Sequence, residues 1–493
     1  MRSKTIKCVN KYGMIILSIM IPIIAAFLYQ LIFKIGEGGV SVPLSDHGDG
    51  VLYYGQIKSF TEGFSLKGYY GFNESHALLG GLSAWPPMVY LVYSMLGGIL
   101  GWNVKVILYF NLLLWSIAFI IYVKVLNPKW SQFIWFTSFW VGMAFIHYFN
   151  FQCVAEAPVE LVSFLYAIFV IRFFREESKV NRYLVLSIIC LMMVTMMRGY
   201  NILVVIPLIC ICISKKSSKA IILVIIGSIV SALGFVLELR YFTSPYFWFN
   251  FNFEWLMAFK DGIAVGLKST VEQFYVAYSE FVPLLFECLH RRLMWPCTYI
   301  VLIIAIMWVL VKTVREKNFL MLSICLTLVG FILAVWMCYD VGNGGRQFLC
   351  LAIIVYLLVS LYDKNAIFKI CLLTLTIYMT WFSQDKYSGE LLADDEKFNH
   401  EIYRLENYFE NEKDNSSEWD YTIDWAYAVQ EIYGIPGDYG LNACRRDFLN
   451  ENYKNLKAKY IIIGEEMDED VANWEIDWEY IDTFYTAKLY KIR

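Results

Sequence analysis

Long apolar runs govern what this chain can fold into. Stretches of about 16 to 22 residues with scarcely a charge recur between positions 14 and 382, and a helix needs about 20 such residues to cross the hydrocarbon of a bilayer. The chain is 58% hydrophobic, with a mean hydropathy of +0.51. It reads as a polytopic membrane protein. The segment 14–33 is too long for a cleaved signal peptide and has too many successors, so it is taken as the first transmembrane helix. Further spans are expected at 104–125, 131–149, 157–174, 182–197, 200–213, 219–237, 297–312, 318–338, 346–362 and 366–382, about eleven in all at this length per crossing.

The net charge of −3 conceals a division. From residue 384 onward there are 26 Asp and Glu against 12 Lys and Arg, so that stretch carries −14 and the remainder +11. The basic residues of the remainder gather in short loops: Arg2, Lys4, Lys7 and Lys11; Lys124 and Lys129; Arg172, Arg175, Lys179 and Arg182; Lys215, Lys216 and Lys219; Lys312, Arg315 and Lys317. Placing them all in the cytoplasm satisfies the positive-inside rule. The stretch WPPMVYLVYSMLGGIL (85–100) then cannot cross, or every later loop would invert. It is expected to lie at the outer interface, with Pro86 and Pro87 in its first turn. The outer side receives the loop 35–103, the turn at Cys153 to Pro158, the aromatic loop 238–296, the glycine-rich turn 339–346 and the acidic C-terminal region. Two parts follow: a membrane part, 1–383, and a soluble mixed α/β part, 384–493. In the latter 385–412 and 418–433 read as helices, and 460–464 and 483–492 as strands. Its charge and lack of apolar runs suggest a lid or acceptor-recognition module. Twelve cysteines with no CxxC pair read as buried thiols.

Chemistry concentrates on the outer side. Just after the first span the chain reads SDHGDGVLYYGQIKSF (45–60). Asp46 and Asp49 stand three residues apart beside His47, on glycine-containing backbone, and can share one small site if Asp49 opens the helix that follows. The plainer account is a solvated turn with a helix cap. Glu74, His76, His147, Glu156, Asp340 and Arg346 collect on the same side. Glu156 stands in an otherwise apolar turn, so it is expected to be part-buried with a partner. Arg198 joins two short apolar helices, where a guanidinium is costly unless it meets an anion or a cavity. Arg346 follows Gly342, Gly344 and Gly345 at the start of a membrane helix, a favourable place for an anion.

Taken in order, these features resemble the GT-C superfamily of integral-membrane glycosyltransferases. One span leads to an outer loop with acidic residues (Asp46, Asp49). A helix led by Pro86 and Pro87 follows, then an outer acidic turn (Glu156-Ala-Pro) and a pair of short helices joined by a basic residue (Arg198), and a C-terminal extracytoplasmic domain ends the chain. The resemblance implies a sugar donor linked to polyprenyl phosphate and transfer on the outer side of the membrane to a glycan, lipid or protein of the cell envelope, with the bilayer as the other partner and no nucleic acid. By position it implies that Asp49 or Asp46 is the catalytic base, that Arg198 meets the lipid phosphate, that Arg346 does the same or holds the acceptor, and that Glu156 lies near the sugar. His47, His76 and His147 are further candidate binding residues. The chemistry is that of an inverting displacement, in which a carboxylate takes the acceptor proton and basic groups offset the departing phosphate. It requires no cofactor, and no ligand spacing supports a divalent cation. An envelope polysaccharide polymerase or flippase is the alternative. Neither needs the acidic first loop, the proline-led helix and a soluble terminal part together, and the two related halves expected of a transporter are not found.

Overall fold

The computed structural model describes residues 2–33, 49–63, 70–72, 87–242, 254–291, 294–338, 349–382, 396–412, 422–426, 430–444, 446–455 and 458–493. Its first helix, α1 (Arg2–Phe33), contains the first apolar run. Two helices of the loop 35–103 follow, α2 (Asp49–Gly63) and α3 (Met88–Leu100). The 13 residues of α3 extend about 20 Å at 1.5 Å per residue. That is short of the ~30 Å hydrocarbon core. Only Val89, Tyr90, Tyr93 and Gly97 of α3 are buried.

Next come α4 (Val104–Leu126), α5 (Trp130–Gly142), α6 (Ala144–Asn150) and α7 (Glu156–Arg175). Helix α4 stops because Asn127 takes a left-handed conformation (φ 47°) and Pro128 cannot continue a helix. Aromatic rings pack α4, α5 and α7 together: Phe119 meets Trp140 edge-on at 5.2 Å, and Phe136 stacks on Phe164 at 4.8 Å. The expected span 131–149 is interrupted at Met143. The Thr380 hydroxyl of a later helix donates to the Gly142 carbonyl and accepts from the Ala144 N–H, taking over backbone groups that the helix would otherwise pair with itself.

Helix α8 (Arg182–Met197) is capped by Asn181, whose side chain accepts from the N–H groups of Tyr183 and Leu184. The expected helix 200–213 is in part a tighter 3₁₀ turn (Gly199–Val204), with α9 (Val205–Ser214) completing it. Then follow α10 (Ser218–Phe242), the short α11 (Glu254–Met257), α12 (Ile263–Arg291), α13 (Met294–Glu316), α14 (Phe319–Cys338), α15 (Leu349–Tyr362) and α16 (Ala366–Trp381). Among the described residues four helices are by themselves long and apolar enough to cross a membrane, over Lys11–Ile32, Val106–Leu126, Glu156–Arg175 and Ser218–Tyr241. Shorter apolar helices stand beside them. The chain is an integral membrane protein by this composition.

Beyond α17 (Glu396–Asn411) the chain forms a six-stranded sheet around β2 (Thr422–Ala426), β3 (Gly440–Cys444), β4 (Tyr460–Gly464), β5 (Trp478–Phe484) and β6 (Ala487–Ile492). The sixth member, β1 (Tyr70–Phe72), comes from the loop 35–103 and pairs in parallel with β3, Tyr70 opposite Leu441. The order is β1-β3-β2-β4-β6-β5, parallel up to β4 and antiparallel beyond it. Two expectations are corrected here. The segment 418–433 is no helix where it is described: its middle is β2, followed by a 3₁₀ turn at Gln430–Gly434. The single strand 483–492 is a hairpin, turned at Tyr485 (φ 50°) and Thr486.

All five residues of β4 are buried, and they alternate between two cores. Ile461 and Ile463 pack with Leu449 of α18 (Arg446–Asn452) and Val471 of α19 (Asp468–Asn473). Tyr460 and Ile462 belong instead to the main core, which runs without a break into the membrane helices. The sheet is therefore fused to the helical part through one face.

Candidate functional site

The site starts from α7. Its first residue, Glu156, is 5% exposed, in a helix whose buried face is otherwise almost wholly apolar. A carboxylate in a first helical turn is favoured by the helix dipole, but at this depth it also calls for a counter-charge. Arg198 supplies it. It ends α8 in an extended conformation (φ −150°, ψ 107°), and the 3₁₀ turn that follows carries the chain away. Its guanidinium reaches Glu156 at 3.3 Å and remains 15% exposed. Two residues singled out by sequence thus meet across adjacent helices.

The start of α2 lies against the same turn. The Cys153 thiol donates to the Gly50 carbonyl at 3.4 Å, one residue beyond Asp49 and three before Glu156. This turn is held by buried polar contacts. Tyr93 of α3 donates to Asn111 of α4 at 2.8 Å, and the Asn111 amide donates to the carbonyls of Asn150 and Gln152, both at 2.9 Å. These bonds tie α3 and α4 to the end of α6 and the residues just beyond it, beside the approach of α2 to α7.

The remaining expected site residues separate into two groups. Asp46, His47, Glu74, His76, Asp340 and Arg346 lie outside the described residues, and of Asp49 the backbone alone is described, as the first residue of α2. His147 is fully enclosed in α6. Its ring sits edge-on to Trp140 at 4.7 Å and near Tyr29 and Trp381, with Nε2 3.1 Å from the Val141 carbonyl. That environment holds the ring in the interior, among aromatic side chains. Among the described residues no group of three or more His, Cys, Asp or Glu is arranged to hold a metal ion.

Two charged residues were missed. Glu160 is one turn below Glu156 on α7, 1% exposed, and neither carboxylate oxygen has a hydrogen-bond partner among the described residues. The signal was present, since an acidic residue four positions into an apolar run is as costly as the first. Lys58 of α2 is 4% exposed. Its amine donates to Glu406 of α17 at 2.9 Å and to the Tyr433 carbonyl at 3.3 Å. Nothing local in the sequence marks Lys58, because its partners lie in the C-terminal sequence.

No family model and no curated protein matches the chain. Solved structures do. ArnT from Cupriavidus metallidurans, bound to undecaprenyl phosphate, superposes with a TM-score of 0.52 at 8% identity, over 97% of this chain and 98% of that one. The archaeal oligosaccharyltransferase AglB from Archaeoglobus fulgidus, in complex with an inhibitory peptide and a dolichol-phosphate, superposes at 0.50 with 10% identity, over 92% of this chain and 70% of that one. Identity this low transfers no residue role, but superposition over nearly the whole length fixes the architecture. The chain has the fold of the GT-C integral-membrane glycosyltransferases, the superfamily that the order of its sequence features resembles.

Proposed function

We propose that this protein is a membrane glycosyltransferase. It takes a hexose or pentose from a polyprenyl-phosphate carrier and passes it to an envelope glycan, lipid or protein at the outer face of a bacterial plasma membrane. The observation that carries the reading is the meeting of three elements: the start of α2, the Cys153 turn, and the Glu156–Arg198 pair. A carboxylate from the acidic loop, an anion-binding guanidinium and a second carboxylate can then act on one substrate. Asp49, or Asp46 beside it, takes the proton of the acceptor hydroxyl. The hydroxyl oxygen attacks the anomeric carbon, and the bond from that carbon to the phosphate oxygen breaks with inversion. The leaving phosphate keeps the electron pair, and Arg198 offsets its charge. Glu156 holds Arg198 in place and faces the sugar. Arg346, His47 and His76 are assigned to substrate binding, whereas His147, enclosed among aromatic rings, is assigned to the packing of α6. Each step is proton transfer or charge stabilisation by side chains, and no cofactor is assigned.

In this reading the N-terminus is cytoplasmic, about eleven helices cross the bilayer, α3 lies at the outer interface, and the C-terminal sheet stands outside. The acidic balance after residue 384 and the basic short loops support that orientation. The test is turnover by purified protein in nanodiscs, given a panel of undecaprenyl-phosphate-linked hexoses and pentoses with envelope extract as acceptor. Release of undecaprenyl phosphate dependent on the extract is expected for at least one donor. A chain that releases none from the whole panel is not this enzyme.

A further inference from the structure

Helix α2 is gripped at several points along its length, and most of them belong to the C-terminal part. Near its start the Gly50 carbonyl meets Cys153. Midway Tyr54 packs on Tyr433 at 4.7 Å, and Trp102 donates to the Tyr54 carbonyl. Gly55 lies so close to the 3₁₀ turn after β2 that a Cβ there would come within 2.8 Å of Ile432. Toward its end Lys58 is shared between Glu406 and the Tyr433 carbonyl, and the Glu62 carboxylate accepts from the Gly437 N–H at 2.7 Å. A helix is stiff over such a length, so whatever fixes its last two turns also sets where its first residue stands.

We infer that Lys58, helix α17 and the turn from Gln430 to Gly437 form a positioning device, which sets the register of α2 and so delivers its first residue, Asp49, toward the Glu156–Arg198 pair. This rests on the reading that Asp49, or Asp46 beside it, supplies the base. It changes the role expected for the C-terminal part: through α17 and the turn after β2 it is a clamp on α2, no removable lid. The contacts are of the kind that hold geometry. The Lys58 amine is buried and doubly bonded, Gly437 and Glu62 meet through a backbone donor, and between these contacts the buried rings of Tyr54 and Tyr433 pack together. Lys58 does not itself touch the Glu156–Arg198 pair in the structure, so its effect on the reaction passes through α2.

The test uses the full chain in nanodiscs and two substitutions that disturb the junction differently. Lys58→Met removes the charge and keeps the length. Gly437→Ala removes no charge, but its Cβ would lie 2.5 Å from the Lys58 carbonyl oxygen and 2.8 Å from Glu62. Hydrogen exchange is read on the amides of residues 50–57, beside kcat and KM for a donor sugar that the unaltered protein turns over. Both variants are expected to exchange about tenfold faster in α2, with α7 unchanged. Their kcat should fall by about 10²-fold, the cost of a displacement near 1 Å at a reacting group. Affinity for undecaprenyl phosphate should hold. Unchanged exchange in Gly437→Ala overturns the clamp even if Lys58→Met does not fold. Faster exchange with unchanged kcat overturns its role in positioning. Faster exchange in a protein whose unaltered form turns over no donor keeps the mechanical coupling and removes the glycosyltransferase reading instead.

Discussion

At the scale of single residues the proposed reaction divides between a base and a phosphate partner, and substitutions separate them. Asp49→Asn and Asp46→Asn are nearly isosteric. The one at the base should lose transfer by about 10²- to 10⁴-fold, the contribution of a placed acid–base group. Its affinity for undecaprenyl phosphate should change little, because the carboxylate acts on the acceptor. Arg198→Gln should weaken that affinity first, since a charged hydrogen-bond partner of the phosphate is lost. If both Asp variants transfer at the normal rate, the pair is only a turn and a cap. Glu160 gives a second test, of stability. A buried polar group without a partner costs about 1–3 kcal/mol, so Glu160→Met, similar in size and apolar, should raise the unfolding free energy by that amount in a detergent melt. A lower melting point would mean that the carboxyl is satisfied after all. Glu156 and Arg198 were legible because charge inside an apolar run is expensive and calls for a partner. Which partner it finds depends on how α7 and α8 pack, and no local pattern encodes that.

Among the secondary elements, those within the membrane were easier to read than those outside it. Apolar length alone places α4, α7, α10 and α14 within a few residues of their expected bounds. The break at Met143 was not legible, since it depends on Thr380 arriving from a distant helix. Nor was β2: the sequence 422–426 is strand-like only once parallel partners stand on both sides of it. The turn after β2 carries a titratable group with a calculable consequence. Glu431 is fully buried and accepts from the N–H and hydroxyl of Thr486, both at 3.0 Å. Burial raises its carboxyl above the ordinary range, against the pull of those donors. A carboxyl raised by folding favours the folded state when protonated, and that contribution disappears as pH climbs through its folded value. Glu431→Gln, neutral at every pH, should therefore melt close to the unaltered protein near the ordinary carboxyl value of about pH 4 and above it near neutrality. The comparison needs only paired thermal melts across pH. A difference that shrinks as pH rises would mean that the hydrogen bonds outweigh the burial.

For the whole molecule, the orientation is the claim with most consequences, since it decides which compartment supplies acceptor. Reporter fusions or cysteine labelling should place Asp420 outside and the loop at Lys215 inside, with 85–100 uncrossed. A cytoplasmic Asp420 would reverse the assignment. The charge division predicts this from sequence alone, whereas the attachment of the C-terminal part to the membrane part could be seen only in three dimensions. That attachment also bears on how the protein is made. Strand β1 leaves the ribosome early, yet its partner β3 follows all the membrane helices described, and Tyr70 cannot meet Leu441 until both stand on the same side of the bilayer. The loop 35–103 must therefore wait, without β3, through the insertion of almost every helix, and such non-local pairing is slow to form. A chain that has not yet made α17 and the turn after β2 lacks the contacts that grip α2. If the proposed orientation and activity hold, synthesis itself acts as a safety catch: the catalytic arrangement is armed only when strands beyond the membrane helices have been translocated and folded.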